Sequence, residues 1–253
     1  MAMPFVAGNW KMNTSIPEAI KLAGSLREAL SGIDGVTRVV CPPFISLAGV
    51  AAEFVGSKIR VGAQNMHSKP RGALTGEISG LMIKDVCQYV ILGHSERRQL
   101  LGETDTFINA KVRAAMELGL IPILCVGESL EEREAGNAGV VVETQLQRGL
   151  HGLTAEQIGT TVLAYEPLWA IGTGRAATPE TAQEVMELIR GELGRLARTD
   201  IAANIPLLYG GSVNAENAHE FAAQRDLDGA LVGGASLNAN DFAAIASAFA
   251  TRE

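Results

Sequence analysis

Short, continuously apolar runs rich in β-branched residues recur from one end of this 253-residue chain to the other. They are Phe5–Ala7, Val36–Cys41, Ile59–Ala63, Tyr89–Leu92, Ile121–Val126, Thr161–Tyr165, Pro206–Tyr209 and Gly229–Val232. None alternates apolar with polar, so each reads as a strand covered on both faces, as in a parallel sheet. Parallel neighbours need long crossover connections, and the gaps between the runs carry helical patterns. Thr104 or Asp105 can cap a helix with Phe107, Ile108, Val112, Ala115 and Leu118 on one face and Gly119 as its stop. Thr178 and Pro179 open another, carrying Val185, Leu188, Ile189, Leu193 and Leu196, with proline at a favoured first helical position. Thr154-Ala-Glu-Gln157 has capping-box spacing for a brief extra helix. Eight strands in 253 residues make about 32 residues per unit, close to the βα repeat. The prediction is an α/β fold: one domain over residues 1–253, closed as a (β/α)₈ barrel. An open, doubly wound sheet is the alternative, disfavoured by the count of eight.

Composition narrows the class. Hydrophobic residues make up 47% and charged residues 19%, which excludes a disordered chain. No apolar run approaches the ~18 residues that a membrane span needs. Lys plus Arg number 21 against 28 Asp plus Glu, a net charge of −7 with no basic stripe, so nucleic acid is not an expected partner. An anion can still be held by local cations and backbone N–H groups. Cys41, Cys87 and Cys125 are odd in number and far apart, which fits free thiols in a reducing compartment. The first residues show no basic stretch leading into an apolar one, so a cytoplasmic location is expected.

Polar residues cluster directly after the apolar runs. Asn9 and Lys11 follow the first, Gln64 and Asn65 the third, and His94-Ser-Glu96 the fourth. Glu128 follows the fifth, Glu166 the sixth, Gly210-Gly-Ser212 the seventh, and Gly233 and Gly234 the eighth. In a barrel these points share one rim, where barrel active sites are built. Glu166 precedes Pro167, which keeps it extended. A carboxylate over an apolar rim is a candidate general base with a raised pKa, and a solvated loop glutamate is the plainer alternative. His94 stands at a plausible helix start, where the dipole disfavours a second ring proton. A neutral imidazole there can donate a hydrogen bond to a carbonyl oxygen; a core histidine is the alternative. Lys11 can neutralise a bound anion or developing oxyanion, with Glu96 a possible ion-pair partner. A Schiff-base role for Lys11 stays open, though nothing specific favours it.

Glycines follow the last three runs, in Gly172-Thr-Gly174, Gly210-Gly211 and Gly233-Gly234. They allow backbone N–H groups to cradle a phosphate, and barrels often bind phosphate after strands seven and eight. Ordinary tight turns are the alternative. Gly172-Thr-Gly174-Arg-Ala-Ala177 fits a loose dinucleotide pattern, but it does not follow its strand directly and lacks the ribose-binding acid about 20 residues on. No Gly-Lys pair exists for a P-loop, and no His/Cys cluster has metal spacing. Neither a cofactor nor a metal is expected.

Taken together, these segments resemble the triosephosphate isomerases, the family whose barrel gives the TIM fold its name. The resemblance runs from Gly8-Asn-Trp-Lys-Met-Asn13 to Val232-Gly-Gly-Ala-Ser236. It includes Gly62-Ala-Gln-Asn65, Ala73-Leu-Thr-Gly-Glu-Ile-Ser79, Leu92-Gly-His-Ser-Glu-Arg-Arg98, Cys125-Val-Gly-Glu128, Ala164-Tyr-Glu-Pro167, Trp169-Ala-Ile-Gly-Thr-Gly174 and Tyr209-Gly-Gly-Ser-Val213. The resemblance implies a cofactor-free isomerase of glycolysis and gluconeogenesis, interconverting dihydroxyacetone phosphate and D-glyceraldehyde 3-phosphate through an enediol(ate). It implies Glu166 as base, His94 as neutral electrophile, and Lys11 and Asn9 as substrate and oxyanion contacts. Gly172, Ser212, Gly233 and Gly234 would bind the phosphate. Pro167, Leu168, Trp169, Ala170, Ile171, Gly172, Thr173, Gly174 and Arg175 would form a closing lid. A homodimer is implied, with Thr75, on a loop from Asn65 to Ser79, reaching the partner's Lys11 and His94. Leu168 stands where valine is more usual, Arg175 where lysine is, and Thr14 where glycine often is. A lysine-dependent sugar-phosphate aldolase on the same barrel and a non-catalytic sugar-phosphate-binding protein are the alternative functions.

Overall fold

Every apolar run forms a strand, and the eight strands pair in parallel and in chain order to close a barrel. The computed structural model describes residues 2–170 and 177–251. The strands are β1 (Phe5–Asn9), β2 (Thr37–Cys41), β3 (Arg60–Ala63), β4 (Tyr89–Leu92), β5 (Ile121–Val126), β6 (Val162–Tyr165), β7 (Leu207–Tyr209) and β8 (Gly229–Val232). Around them lie α1 (Ile16–Ala29), α2 (Phe44–Glu53), α3 (Gly80–Ile83), α4 (Ser95–Leu101), α5 (Asp105–Glu117) and α6 (Leu130–Glu134). The second half adds α7 (Ala138–Gly149), α8 (Ala155–Gly159), α9 (Pro179–Leu196), α10 (Thr199–Ala202), α11 (Ala218–Ala222) and α12 (Ala239–Ala250). The open-sheet alternative falls because β1 pairs with both β2 and β8.

The strands are apolar throughout because the barrel has two cores. Phe5, Ala7, Val39, Ile91, Ile123, Val162, Leu208 and Leu231 point inward and fill the interior. Val6, Val40, Val90, Leu124, Leu163 and Leu207, one residue out of phase, pack under the helices. Strand side chains alternate faces with a period of two, so only a run that is apolar at both phases can serve both cores. The closing seam is tight: a methyl group on Gly229 would overlap the carbonyl of its β1 partner Phe5.

The helix boundaries follow their caps. Thr104 Oγ1 accepts the Phe107 N–H at 3.3 Å to start α5, and Gly119 beyond its end has φ +76°. Thr178 accepts the Thr181 N–H at 3.2 Å at the head of α9, with Pro179 at the first position. The brief helix α8 has both capping-box bonds, Gln157 N–H to Thr154 Oγ1 at 3.2 Å and Thr154 N–H to Gln157 Oε1 at 2.9 Å. Among the described residues no helix is long and apolar enough to cross a membrane. The three cysteines are buried free thiols, and burial raises all three pKa values.

Candidate active site

Because all eight strands run the same way, their C-terminal ends share one rim. Asn9, Lys11, His94, Glu166, Ser212 and Gly233 line a cavity of about 400 Å³ there, with Gly234 and the Gly210–Gly211 pair. Residues from β1, β4, β6, β7 and β8, up to 225 positions apart in the chain (Asn9 to Gly234), thus meet at one mouth.

Glu166 continues β6 by one residue and is 2% exposed. Its Oε1 stands 2.9 Å from His94 Nε2, and its Oε2 accepts the Ser95 N–H at 2.8 Å. Burial by itself would raise its pKa. The His94 ring, the Ser95 amide and the Lys11 ammonium outweigh that and hold it below the ordinary glutamate value. The raised pKa expected from an apolar rim is therefore corrected: the rim supplies two directed N–H donors, and these favour the carboxylate.

His94 is the N-cap of α4 and is almost completely buried. Its Nδ1 accepts the Glu96 N–H at 3.2 Å. A ring nitrogen that accepts carries no hydrogen, so the proton sits on Nε2 and points at Glu166. Burial opposes a second ring proton, while Glu166, and less strongly Glu96, raise the pKa above its usual value. The expectation that a helix start disfavours a second ring proton is corrected to that extent. What favours the neutral ring is the Nδ1 contact, because charging the ring would break the bond to the Glu96 amide.

Lys11 lies just beyond β1 with φ +53°, a left-handed conformation costing roughly 1–2 kcal/mol for a residue with a side chain. Two contacts hold it there. Asn9 Oδ1 accepts the Lys11 N–H at 3.0 Å, and Gln64 Nε2 donates to the Lys11 carbonyl at 2.9 Å and to the Cys41 carbonyl at 2.9 Å. The ammonium reaches Glu96 at 2.7 Å, as the sequence foresaw, and the Lys11 stem runs past Gly233.

The segment after Glu166 is rooted by Glu128, which is fully buried. Its Oε1 accepts from Trp169 Nε1 at 2.8 Å, Tyr165 Oη at 3.0 Å and Arg133 Nη1 at 3.1 Å, and its carbonyl accepts the Leu168 N–H at 3.0 Å. Leu168–Ala170 form one 3₁₀ turn after Pro167, and Ser212 Oγ donates to the Ala170 carbonyl at 3.2 Å. Ile171, Gly172, Thr173, Gly174 and Arg175 lie outside the described residues. Thr75 is exposed on the loop ahead of α3.

Sequence reasoning missed several supports. Lys111, only 1% exposed on α5, donates to Asn65 Oδ1 at 2.9 Å and Glu103 Oε1 at 2.5 Å, and Glu103 also takes Arg97 Nε at 2.7 Å. Asn65, Glu96 and Arg97 line a second cavity of about 360 Å³ that shares Asn9, Lys11 and His94 with the first. Cys125 lies against Glu166, and burial together with that carboxylate keeps it a thiol. Among the described residues no group of three His, Cys, Asp or Glu side chains could hold a metal ion.

The family model for triosephosphate isomerase matches residues 4–249. The triosephosphate isomerase of Symbiobacterium thermophilum is 52% identical over 251 residues, covering 99% of this chain and 98% of that protein. The enzyme of the same name from Carboxydothermus hydrogenoformans is 52% identical, covering 97% of this chain and 98% of its own. That of Chloroflexus aurantiacus is 49% identical, covering 96% and 97%. This chain belongs to the triosephosphate isomerase family.

Membership in the triosephosphate isomerase family explains why the motif segments are spaced so irregularly yet meet in space. Gly8–Asn13, Leu92–Arg98, Ala164–Pro167, Tyr209–Val213 and Val232–Ser236 each straddle the C-terminal end of a barrel strand. The chain between them is helix and return loop. The family's motifs are thus one rim read out in pieces.

Proposed function

We propose that this protein interconverts dihydroxyacetone phosphate and D-glyceraldehyde 3-phosphate, in the cytoplasm and as a step of glycolysis and gluconeogenesis. The observation that carries the reading is the contact of Glu166 with His94, 2.9 Å apart, beside the Lys11 ammonium in a glycine-lined cavity. Glu166, ionised and dry, takes a proton from the carbon next to the substrate carbonyl. His94 Nε2–H donates to the carbonyl oxygen as negative charge develops on it. Lys11 and Asn9 stabilise that oxyanion, and Lys11 also offsets the phosphate. Glu166 then returns the proton to the neighbouring carbon, while the former carbonyl oxygen takes the His94 Nε2 proton and His94 recovers one from the hydroxyl that becomes the new carbonyl. No redox partner enters, because one carbon is oxidised as its neighbour is reduced.

For this Glu166 must turn away from Ser95 and His94. That exchange breaks the Oε1 contact and frees Nε2–H for the substrate, so base and electrophile are released by one side-chain rotation. Backbone N–H groups of Gly172, Ser212, Gly233 and Gly234 hold the phosphate in this reading. Pro167 to Arg175 close over it and keep water from the enediolate. Lys11 is paired with Glu96 at 2.7 Å, a contact that fits an anion-binding role better than an aldolase Schiff base.

The reading includes a homodimer. Met12 and Phe44 are exposed apolar side chains lining the second cavity, where a partner's loop carrying Thr75 would enter beside Lys11 and His94. The test is a coupled isomerase assay in both directions, with a phosphate-bearing enediolate mimic as inhibitor. Turnover that the mimic blocks at stoichiometric occupancy is expected; tight binding of the mimic without turnover would overturn the reading.

A further inference from the structure

We infer that Gln145 is a positioning residue for Glu166, acting from the outer helix layer through the backbone of Gly127. The inference rests on reading Glu166 as the base. Gln145 sits on α7 and turns its amide toward the end of β5. Its Oε1 accepts the Gly127 N–H at 2.8 Å, and its Nε2 donates to the Gly127 carbonyl at 3.0 Å. One planar side-chain amide thus satisfies both backbone groups of one glycine. Exchanging its O and N would set like against like at both contacts, so the orientation is determined.

Gly127 is where Glu166 rests. The Glu166 N–H donates to the Val126 carbonyl at 2.8 Å, and the Leu168 N–H donates to the Glu128 carbonyl at 3.0 Å. Between these two anchors Gly127 lies so close that a methyl group on it would overlap the Glu166 carbonyl. On the opposite side a methyl on Gly210 would come within 2.7 Å of Glu166 Cγ, and the Gly210 N–H donates to the Tyr165 carbonyl at 2.7 Å. Glu166 is therefore held between two glycines. Close approach requires glycine on both sides, but glycine is also the residue with the most backbone freedom. Gln145 removes that freedom at Gly127. A movement of residues 126–128 passes directly to the Glu166 backbone and, through the Leu168 N–H, to the root of the proposed lid.

α7 does not need Gln145 in order to dock. Val142, Leu146 and Gly149 are its buried face, while Gln145 is half-buried and spends its polar atoms on the turn. The amide is there for Gly127.

The test uses three variants of the full-length protein, with kcat and KM measured in the coupled assay and folding checked by circular dichroism. Gln145→Met keeps the length of the side chain and removes both bonds. A loosened base should lower kcat roughly tenfold, short of the ~100-fold that a full ångström of misplacement costs, with KM within about twofold. Gln145→Glu keeps the acceptor and sets a carboxylate oxygen against the Gly127 carbonyl. Protonated, the same side chain has a donor and an acceptor like the amide. Its kcat relative to wild type should rise toward one as pH falls from about 8 to about 5.5. A Gln145→Met protein that melts earlier but turns over at the wild-type kcat would overturn the inference. If Gln145→Met does not fold, a Gln145→Glu ratio that is flat across pH overturns it instead. Glu166→Gln separates the two readings. If it keeps wild-type kcat, the base assignment fails and the inference with it; if it is inactive while the Gln145 variants are normal, the inference alone fails.

Discussion

Shortening the base by one methylene, Glu166→Asp, gives the sharpest test of the proposed mechanism. The carboxylate retracts by one C–C bond, about 1.5 Å. The backbone cannot advance to compensate. The Glu166 N–H is tied to Val126 at 2.8 Å, the preceding Tyr165 carbonyl is tied to Gly210 at 2.7 Å, and Gly127 blocks any shift from below. Nearly the whole displacement therefore survives at the reacting atoms. At about a hundredfold per ångström, kcat falls by roughly 10²–10³, which is about 3–4 kcal/mol of transition-state stabilisation. Lys11 and the glycine-lined cavity are untouched, so KM stays within about threefold, as for loss of an interaction made only in the transition state. The coupled assay, run from each triose phosphate, reads both constants. A kcat within tenfold of wild type, or a loss carried wholly by KM, would refute the argument, because either outcome means the carboxylate is not held where the structure holds it.

Three further outcomes follow from the same coordinates. Glu166 is held below the ordinary value of 4.5, so the base is ionised at every pH above that. Once the substrate phosphate's ionisation near pH 6 is divided out, an acid limb of kcat/KM above pH 4.5 belongs to protonation of His94, whose pKa is raised, and not to Glu166. His94→Gln, which cannot take a second ring proton, should remove that limb, and a limb at about 6 or above that survives in this variant would contradict the lowered Glu166 pKa. The sign for stability agrees: contacts that favour the carboxylate contribute above 4.5 and are lost as pH falls through the folded value. Lys111→Met leaves Glu103 buried with only Arg97, at a cost of about 3 kcal/mol, and adding Glu103→Leu should cost less than the sum of the single changes. Denaturant titration at fixed protein concentration checks this, and simple additivity would mean the pair is not coupled. Light scattering at micromolar protein should give about twice the 26.6 kDa monomer mass; a monomer with full activity would remove the role of Thr75 in the neighbouring site.

The barrel was legible because its physics leaves a local trace. A strand facing two cores must be apolar at both phases, and every such run lies within a residue or two of an observed strand. The rim residues were legible because a parallel barrel brings whatever follows each run to one end, so His94, Glu166 and Lys11 needed only topology to meet. What stayed hidden is what reaches across layers. Gln145 is an unremarkable polar residue on an amphipathic helix, and nothing near it in the chain says that its amide closes on Gly127. Gln64 was visible as a residue after β3, but its two carbonyl contacts, which hold Lys11 in a left-handed conformation, were not.

The Glu166 pKa marks the same boundary from the other side. An apolar rim argues for a raised value, and burial does act in that direction. What reverses it is the Ser95 amide at 2.8 Å and a histidine whose tautomer is set by a third residue, Glu96. Both donors sit at the start of α4, whose first N–H groups have no partner within the helix. The helix end that was expected to keep His94 neutral thus also keeps Glu166 ionised in the resting site. In the proposed mechanism, base strength has to be recovered when the side chain turns to the substrate and leaves those donors behind. Replacing the Glu166 contacts with substrate contacts would then itself be the step that raises the proposed base's proton affinity, which would make the rotation part of the chemistry as well as a change of position.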